Sequence, residues 1–172
     1  MRPSRSIEEA LLLTENDPSK VLRMIVDGKE LTKGEYLPRK HTQNAPKICF
    51  PNSSSTVTYA VVCVDIDPPF PSWSVLGAAL HWLRTGLTAT VDGEMKHADN
   101  IPALANYMGA GPPPGSSPHR YLFILYEQGP GFDINKWGRS FSILNRMRFD
   151  LDKFETDTGL GKIVAATYFL SN

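Results

Sequence analysis

Three blocks of this chain are apolar without alternation: VTYAVVCV at 57 to 64, AALHWLRT at 78 to 85 and YLFILYEQ at 121 to 128. Runs this short and this rich in β-branched and aromatic residues predict strands. The first and last are apolar on both faces, as strands in the middle of a layered core must be. VLRMIV at 21 to 26 is followed by Asp27-Gly28 and then by Lys29, Glu30 and Leu31. Asp-Gly supplies the positive φ angles of a two-residue hairpin turn, so an antiparallel pair is predicted there. KIVAATYFL at 162 to 170 predicts a closing strand.

Helical spacing appears near the two ends. Ser6 with Glu9 three residues on forms a capping box, and Ile7, Ala10, Leu11 and Thr14 follow on one face, predicting a short helix that stops before Pro18. FDLDKFETDTGLG at 149 to 161 predicts a second, with Asp150 and Asp152 early, Leu151 and Phe154 on one side and Gly159 as its cap. Between 92 and 120, Gly109, Gly111 and Gly115 are interleaved with Pro112, Pro113, Pro114 and Pro118, which predicts an irregular segment. Long ordered loops tend to carry function. No repeat and no linker interrupts the chain. The expectation is a single domain over 1–172, mainly β with peripheral short helices.

The 172 residues, 41% hydrophobic and 21% charged, suffice for one core; such a chain buries on the order of 70% of its unfolded surface. Lys and Arg total 18 and so do Asp and Glu, and neither half carries a basic block, which argues against electrostatic capture of nucleic acid or of an anionic membrane. A small or neutral partner is expected instead. Cys49 and Cys63 each sit in an apolar run and read as small buried hydrophobes, with a disulfide between neighbouring strands as the alternative. The leucine run near the N-terminus is too short for a signal peptide and no stretch is long enough to span a bilayer, so a cytoplasmic protein without a transmembrane segment is expected. Asn52-Ser53-Ser54 has the pattern of a glycosylation site and reads as a polar turn after Pro51.

Candidate chemistry gathers in two segments, DIDPPFP at 65 to 71 followed by His81, and GPPPGSSPHRY at 111 to 121. Asp65, Asp67, His81, His119 and Arg120 are expensive to bury unpaired, so beside apolar strands they either pair or face a ligand. Asp67 and Arg120 read as an ion pair that locks the two segments together behind the ligand-facing residues. His41 and His97 read as surface residues. Asp65, His81 and His119 are a weak zinc signal, and neither a metal nor any other cofactor is expected. Ser116 and Ser117 lie near His119 without the turn of a nucleophile elbow, and Glu127 reads as structural.

These two segments, with YEQ at 126 to 128 and GLGKIVAATYF at 159 to 169, resemble the phosphatidylethanolamine-binding protein family over nearly the whole chain. The family's G-P-P-x-G-x-x-x-H-R-Y run is met by Gly111, Pro112, Pro113, Gly115, His119, Arg120 and Tyr121. Its D-P-D-A-P motif with a following histidine is met by Asp65, Asp67, Pro69 and His81-Trp82-Leu83. The resemblance implies an antiparallel two-sheet fold and an anion pocket at the sheet end that takes phosphate- or carboxylate-bearing ligands. Carried over position by position, the pocket residues are Asp65, Pro69, His81, Gly111, Pro113, His119 and Tyr121. The histidines, the tyrosine hydroxyl and glycine-freed backbone N–H groups would donate to the anion. Ile66 stands where the family usually has proline, and Phe70-Pro71 where a small hydroxyl residue and an arginine often follow. Phe70 and Trp73 then either form an aromatic wall or cap the core.

Three functions follow from the resemblance. One is a ligand-binding regulator of a protein partner. Another is an enzyme of fungal secondary metabolism that couples maleic anhydride units into nonadride rings, which would make the chain a fungal member. It would use His81 and His119 as acid and base and Asp65 to orient them; an ordinary histidine pKa near 6.5 suits proton transfer at neutral pH. The third is inhibition of a carboxypeptidase Y-type protease through residues 1 to 20.

Overall fold

A computed structural model describes residues 4–69, 77–98 and 100–172. Helix α1 (Arg5–Asn16) leads to the hairpin β1 (Arg23–Val26) and β2 (Lys29–Leu31), then β3 (Lys47–Cys49), β4 (Thr58–Asp65), β5 (Ala79–Ala89), β6 (Met95–His97) and β7 (His119–Gln128). The short α2 (Ile143–Arg146), α3 (Leu151–Thr158) and the closing β8 (Gly161–Ser171) complete the chain. The strands form two antiparallel sheets, β2-β1-β3 and β6-β5-β4-β7-β8.

Strand β4 occupies the middle of the larger sheet, between β5 and β7, which explains its unbroken apolar run. Tyr59, Val61 and Cys63 point to the smaller sheet and pack with Met24, Ile48, Phe123 and Phe169. Ala60, Val62 and Val64 point the other way, with Leu122, Ile124 and Phe154 beneath the helices. Alternating side chains thus fill two cores, and burial of both faces removes the polar positions that a half-exposed strand would show. The hairpin turns as expected, with Asp27 and Gly28 both at positive φ, 50° and 80°.

Two expectations are revised, for the α1 cap and for the 92–120 stretch, and two readings hold, for the cysteines and for Asn52. Ser4, not Ser6, caps α1 by accepting the Ile7 N–H at 3.3 Å; Ser6 lies inside the first turn, where its hydroxyl donates to Glu155. The irregular stretch 92–120 contains β6, a strand of three residues that continues the sheet edge. Cys49 and Cys63 are buried and free, so the disulfide alternative falls. Asn52 sits in the turn after Pro51 and its side chain donates to the Ser19 carbonyl. The second helix matches its sequence signals: Asp150 accepts the Lys153 N–H, and Gly159 ends α3 in the left-handed region. Among the described residues, no helix is long and apolar enough to cross a membrane.

Candidate functional site

A bulge aims the first histidine. Cys63 opposes Trp82 and Val64 opposes Leu80, so His81 is the extra residue of β5, and such an insertion re-aims a side chain without breaking the sheet. Its backbone carbonyl accepts from Met108 N at 2.9 Å, and its ring Nδ1 lies 2.8 Å from the Met108 carbonyl. A carbonyl only accepts, so Nδ1 carries the hydrogen and the neutral ring keeps its lone pair on Nε2. Burial pulls the His81 pKa below 6.5, with the Met108 carbonyl partly opposing, which favours the neutral ring at pH 7. The Tyr121 ring meets it edge-on, 5.0 Å between centroids.

The second histidine is held by a carboxylate. Asp65 ends β4 opposite Ala79 on one neighbour and Tyr121 on the other. Its Oδ1 accepts the Asp67 N–H at 2.9 Å, and its Oδ2 lies 2.8 Å from Nδ1 of His119. His119 is fully buried, and its Nε2 has no partner among the described residues. A buried polar atom without a partner costs about 1–3 kcal/mol, and this nitrogen is the one buried side-chain atom of the two histidines left open to a further hydrogen bond among the described residues.

Both histidines line a cavity of about 380 Å³ together with Asp65, Pro69, Gly111 and Pro113. Six of the seven pocket residues expected from the sequence therefore come together. Tyr121 does not line the cavity; it stands behind it, against His81, and its hydroxyl accepts the Gly111 N–H at 3.3 Å. Burial raises its pKa, so the phenol stays protonated. The loop amides are less free than the glycines suggest, since the Ala110 N–H is also engaged, by Thr42 Oγ1 at 3.0 Å.

Sequence reasoning missed Arg39, which also lines the cavity and whose guanidinium has no partner among the described residues. It comes from a 3₁₀ turn, Arg39–His41, that Tyr107 and Ala110 staple to the glycine loop through Thr42. Nothing local in PRKHTQ marks it as a pocket residue.

Asp67 and Arg120 meet behind the site. Asp67 Oδ2 accepts the Arg120 backbone N–H at 2.8 Å and its Nε at 2.9 Å, and Oδ1 accepts Nη2 at 2.6 Å. The carboxylate is buried while the guanidinium is 42% exposed, a fork that ties the two segments together. His41 pairs with Asp27 on the surface, His97 is exposed, and Glu127 pairs with Lys162. Phe70, Pro71 and Trp73, the expected aromatic rim, lie outside the described residues. Among the described residues, no three His, Cys, Asp or Glu side chains are grouped to hold a metal ion.

A family model described as Phosphatidylethanolamine-binding protein matches residues 27–169. CEN-like protein 1 of Nicotiana tabacum is 26% identical over 154 residues, covering 89% of this chain and 81% of that protein. Phomoidride biosynthesis cluster protein N of Talaromyces stipitatus is 26% identical over 162 residues, covering 84% and 80%. The solved structure of carboxypeptidase Y inhibitor complexed with its cognate proteinase superposes with a TM-score of 0.74 at 22% identity, covering 97% of this chain and 93% of that one.

Proposed function

The chain belongs to the phosphatidylethanolamine-binding protein family, whose fold supports a ligand-binding or regulatory role, and on that premise we propose that it binds a small phosphate- or carboxylate-bearing anion between His81, His119 and Arg39. The observation that carries this reading is the buried, unpartnered Nε2 of His119, set in the cavity wall by Asp65. In the neutral tautomer that Asp65 selects, Nε2 accepts a hydrogen bond from a protonated oxyanion or an ammonium group; on protonation it donates to an anion. The Arg39 guanidinium, which makes no ion pair among the described residues, supplies a fixed positive charge. A cavity of about 380 Å³ suits a head group or a diacid rather than a whole lipid.

Calorimetric or NMR titration with phosphoethanolamine, inorganic phosphate and a substituted maleic diacid tests it. Binding of at least one, weakened tenfold or more in His119→Ala, is the expected outcome. A folded protein that binds none of the three would overturn the assignment.

A second reading, catalysis in the same pocket, draws on the similarity to Phomoidride biosynthesis cluster protein N and on the two histidines held in defined tautomers. The neutral Nε2 of His81 would take a proton from an activated methylene, and Arg39 would hold a carboxylate. Conversion of the diacid over time, abolished in His81→Ala, would favour it over simple binding.

A further inference from the structure

From residue 134 to residue 149 there is no acid and there are four cations, Lys136, Arg139, Arg146 and Arg148, in a chain whose formal net charge is zero. The same segment spends three aromatics on the core: Trp137 and Phe149 pack on Phe154 and on each other, and Phe141 packs on Phe154. Its aliphatic side chains go the other way. Ile143 is 72% exposed, Leu144 85% and Met147 42%, all within or beside α2. Arg146 pins the turn by donating to the Phe141 and Asn106 carbonyls, whereas Lys136, Arg139 and Arg148 reach solvent.

We propose that this apolar-tipped and cationic turn is a docking surface for an anionic lipid bilayer, with Ile143, Leu144 and Met147 entering the interface and Lys136, Arg139 and Arg148 lying among the head groups. Apolar side chains flanked by basic ones, with no acid between, are the composition that interfacial membrane segments use. Zero net charge argued against an electrostatic membrane site, but a sum over the chain does not see the run of four cations that stands between Asp133 and Asp150. A second copy of this chain is the poorer occupant, because a two-fold contact through this turn would set like cations face to face. Met147 and Arg39 both border the pocket, so docking here would bring its mouth to head-group level. The inference does not depend on what the pocket binds.

Co-sedimentation with vesicles of phosphatidylcholine alone, and of phosphatidylcholine with about 30% phosphatidylserine, tests it at about 0.1 M salt. Binding to the anionic vesicles only is expected. It should weaken about fivefold in each of Lys136→Gln and Arg148→Gln, and about tenfold or more in I143S/L144S. All four side chains are exposed, so circular dichroism and melting should match the wild type. Absence of vesicle binding, binding untouched by I143S/L144S, self-association through this turn, or binding to an acidic polypeptide but not to vesicles would each overturn it. Binding of soluble phosphate in I143S/L144S should be unchanged, which separates this surface from the pocket.

Discussion

His119 gives its Nδ1 hydrogen to Oδ2 of Asp65 at 2.8 Å, across 54 residues of sequence, and both side chains are buried. One contact thus joins the two motif segments and decides which ring nitrogen remains for a ligand. The neutral form of His119 should carry its hydrogen on Nδ1, as read from ¹⁵N shifts, and Asp65→Asn should lose that preference. Replacing the carboxylate should cost about 1–3 kcal/mol of stability in urea unfolding. A wild-type ring with its hydrogen on Nε2 would sink the assignment.

Arg120→Met should destabilise more than its exposure suggests, because it strands a buried Asp67 carboxylate with only the backbone N–H of residue 120. A loss of about 2–4 kcal/mol is expected, discounted for the half-exposed guanidinium. The double variant D67A/R120M, which leaves no buried charge, should recover part of it. Equal losses in the single and double variants would mean that the ion pair is not what the fold depends on.

His81 should make stability pH-dependent. Its folded pKa lies below the 6.5 of an exposed histidine, so between pH 6.5 and the lowered value the unfolded chain binds more protons, and stability falls as acid is added. The slope from this residue is at most about 1.4 kcal/mol per pH unit. Glu155, whose carboxyl burial pushes up, works in the opposite sense at lower pH, so the comparison is with His81→Asn. That variant keeps a donor for the Met108 carbonyl and does not titrate. Denaturant midpoints should converge toward acid; parallel curves would refute the linkage.

Two glycines of the pocket should behave differently. A Cβ on Gly109 would lie 2.8 Å from the Thr42 carbonyl oxygen and from the Gln43 amide, so Gly109→Ala should disturb the staple to the 39–43 turn and lower the melting temperature. A Cβ on Gly111 meets only Arg39 Nη2 at 3.7 Å. Gly111→Ala should therefore fold with stability close to wild type while filling cavity space and weakening anion binding. Reversal of that order would place the ligand elsewhere.

Much of this architecture was legible because burial leaves a simple imprint. Strands β4 and β7 announce themselves by losing alternation, the hairpin by Asp27-Gly28, and α3 by Asp150 and Gly159. The pocket was legible as residue types too costly to bury without purpose. What was not legible depends on placement in three dimensions. Strand β6 is three residues long and has no pattern of its own; it exists because β5 offers an edge. Ser4 outcompetes Ser6 as cap because Ser6 is drawn to Glu155 of α3. Arg39 reaches the pocket only through the staple at Thr42, and the bulge at His81 requires knowing which residue opposes Cys63.

The register of β4 has a further consequence. Asp65 faces Ala79 and Tyr121 across the ends of three neighbouring strands, and the chain leaves the sheet at that point. The cavity therefore lies at the end of the sheet, and much of its lining, from Met108 to Pro113, comes from a connection rather than from a strand. Such a molecule can change what it accepts by rewriting its connections, with the central strands left as they are. Over long times the opening would drift faster than the frame, and chains sharing one scaffold would come to answer to quite different chemical signals.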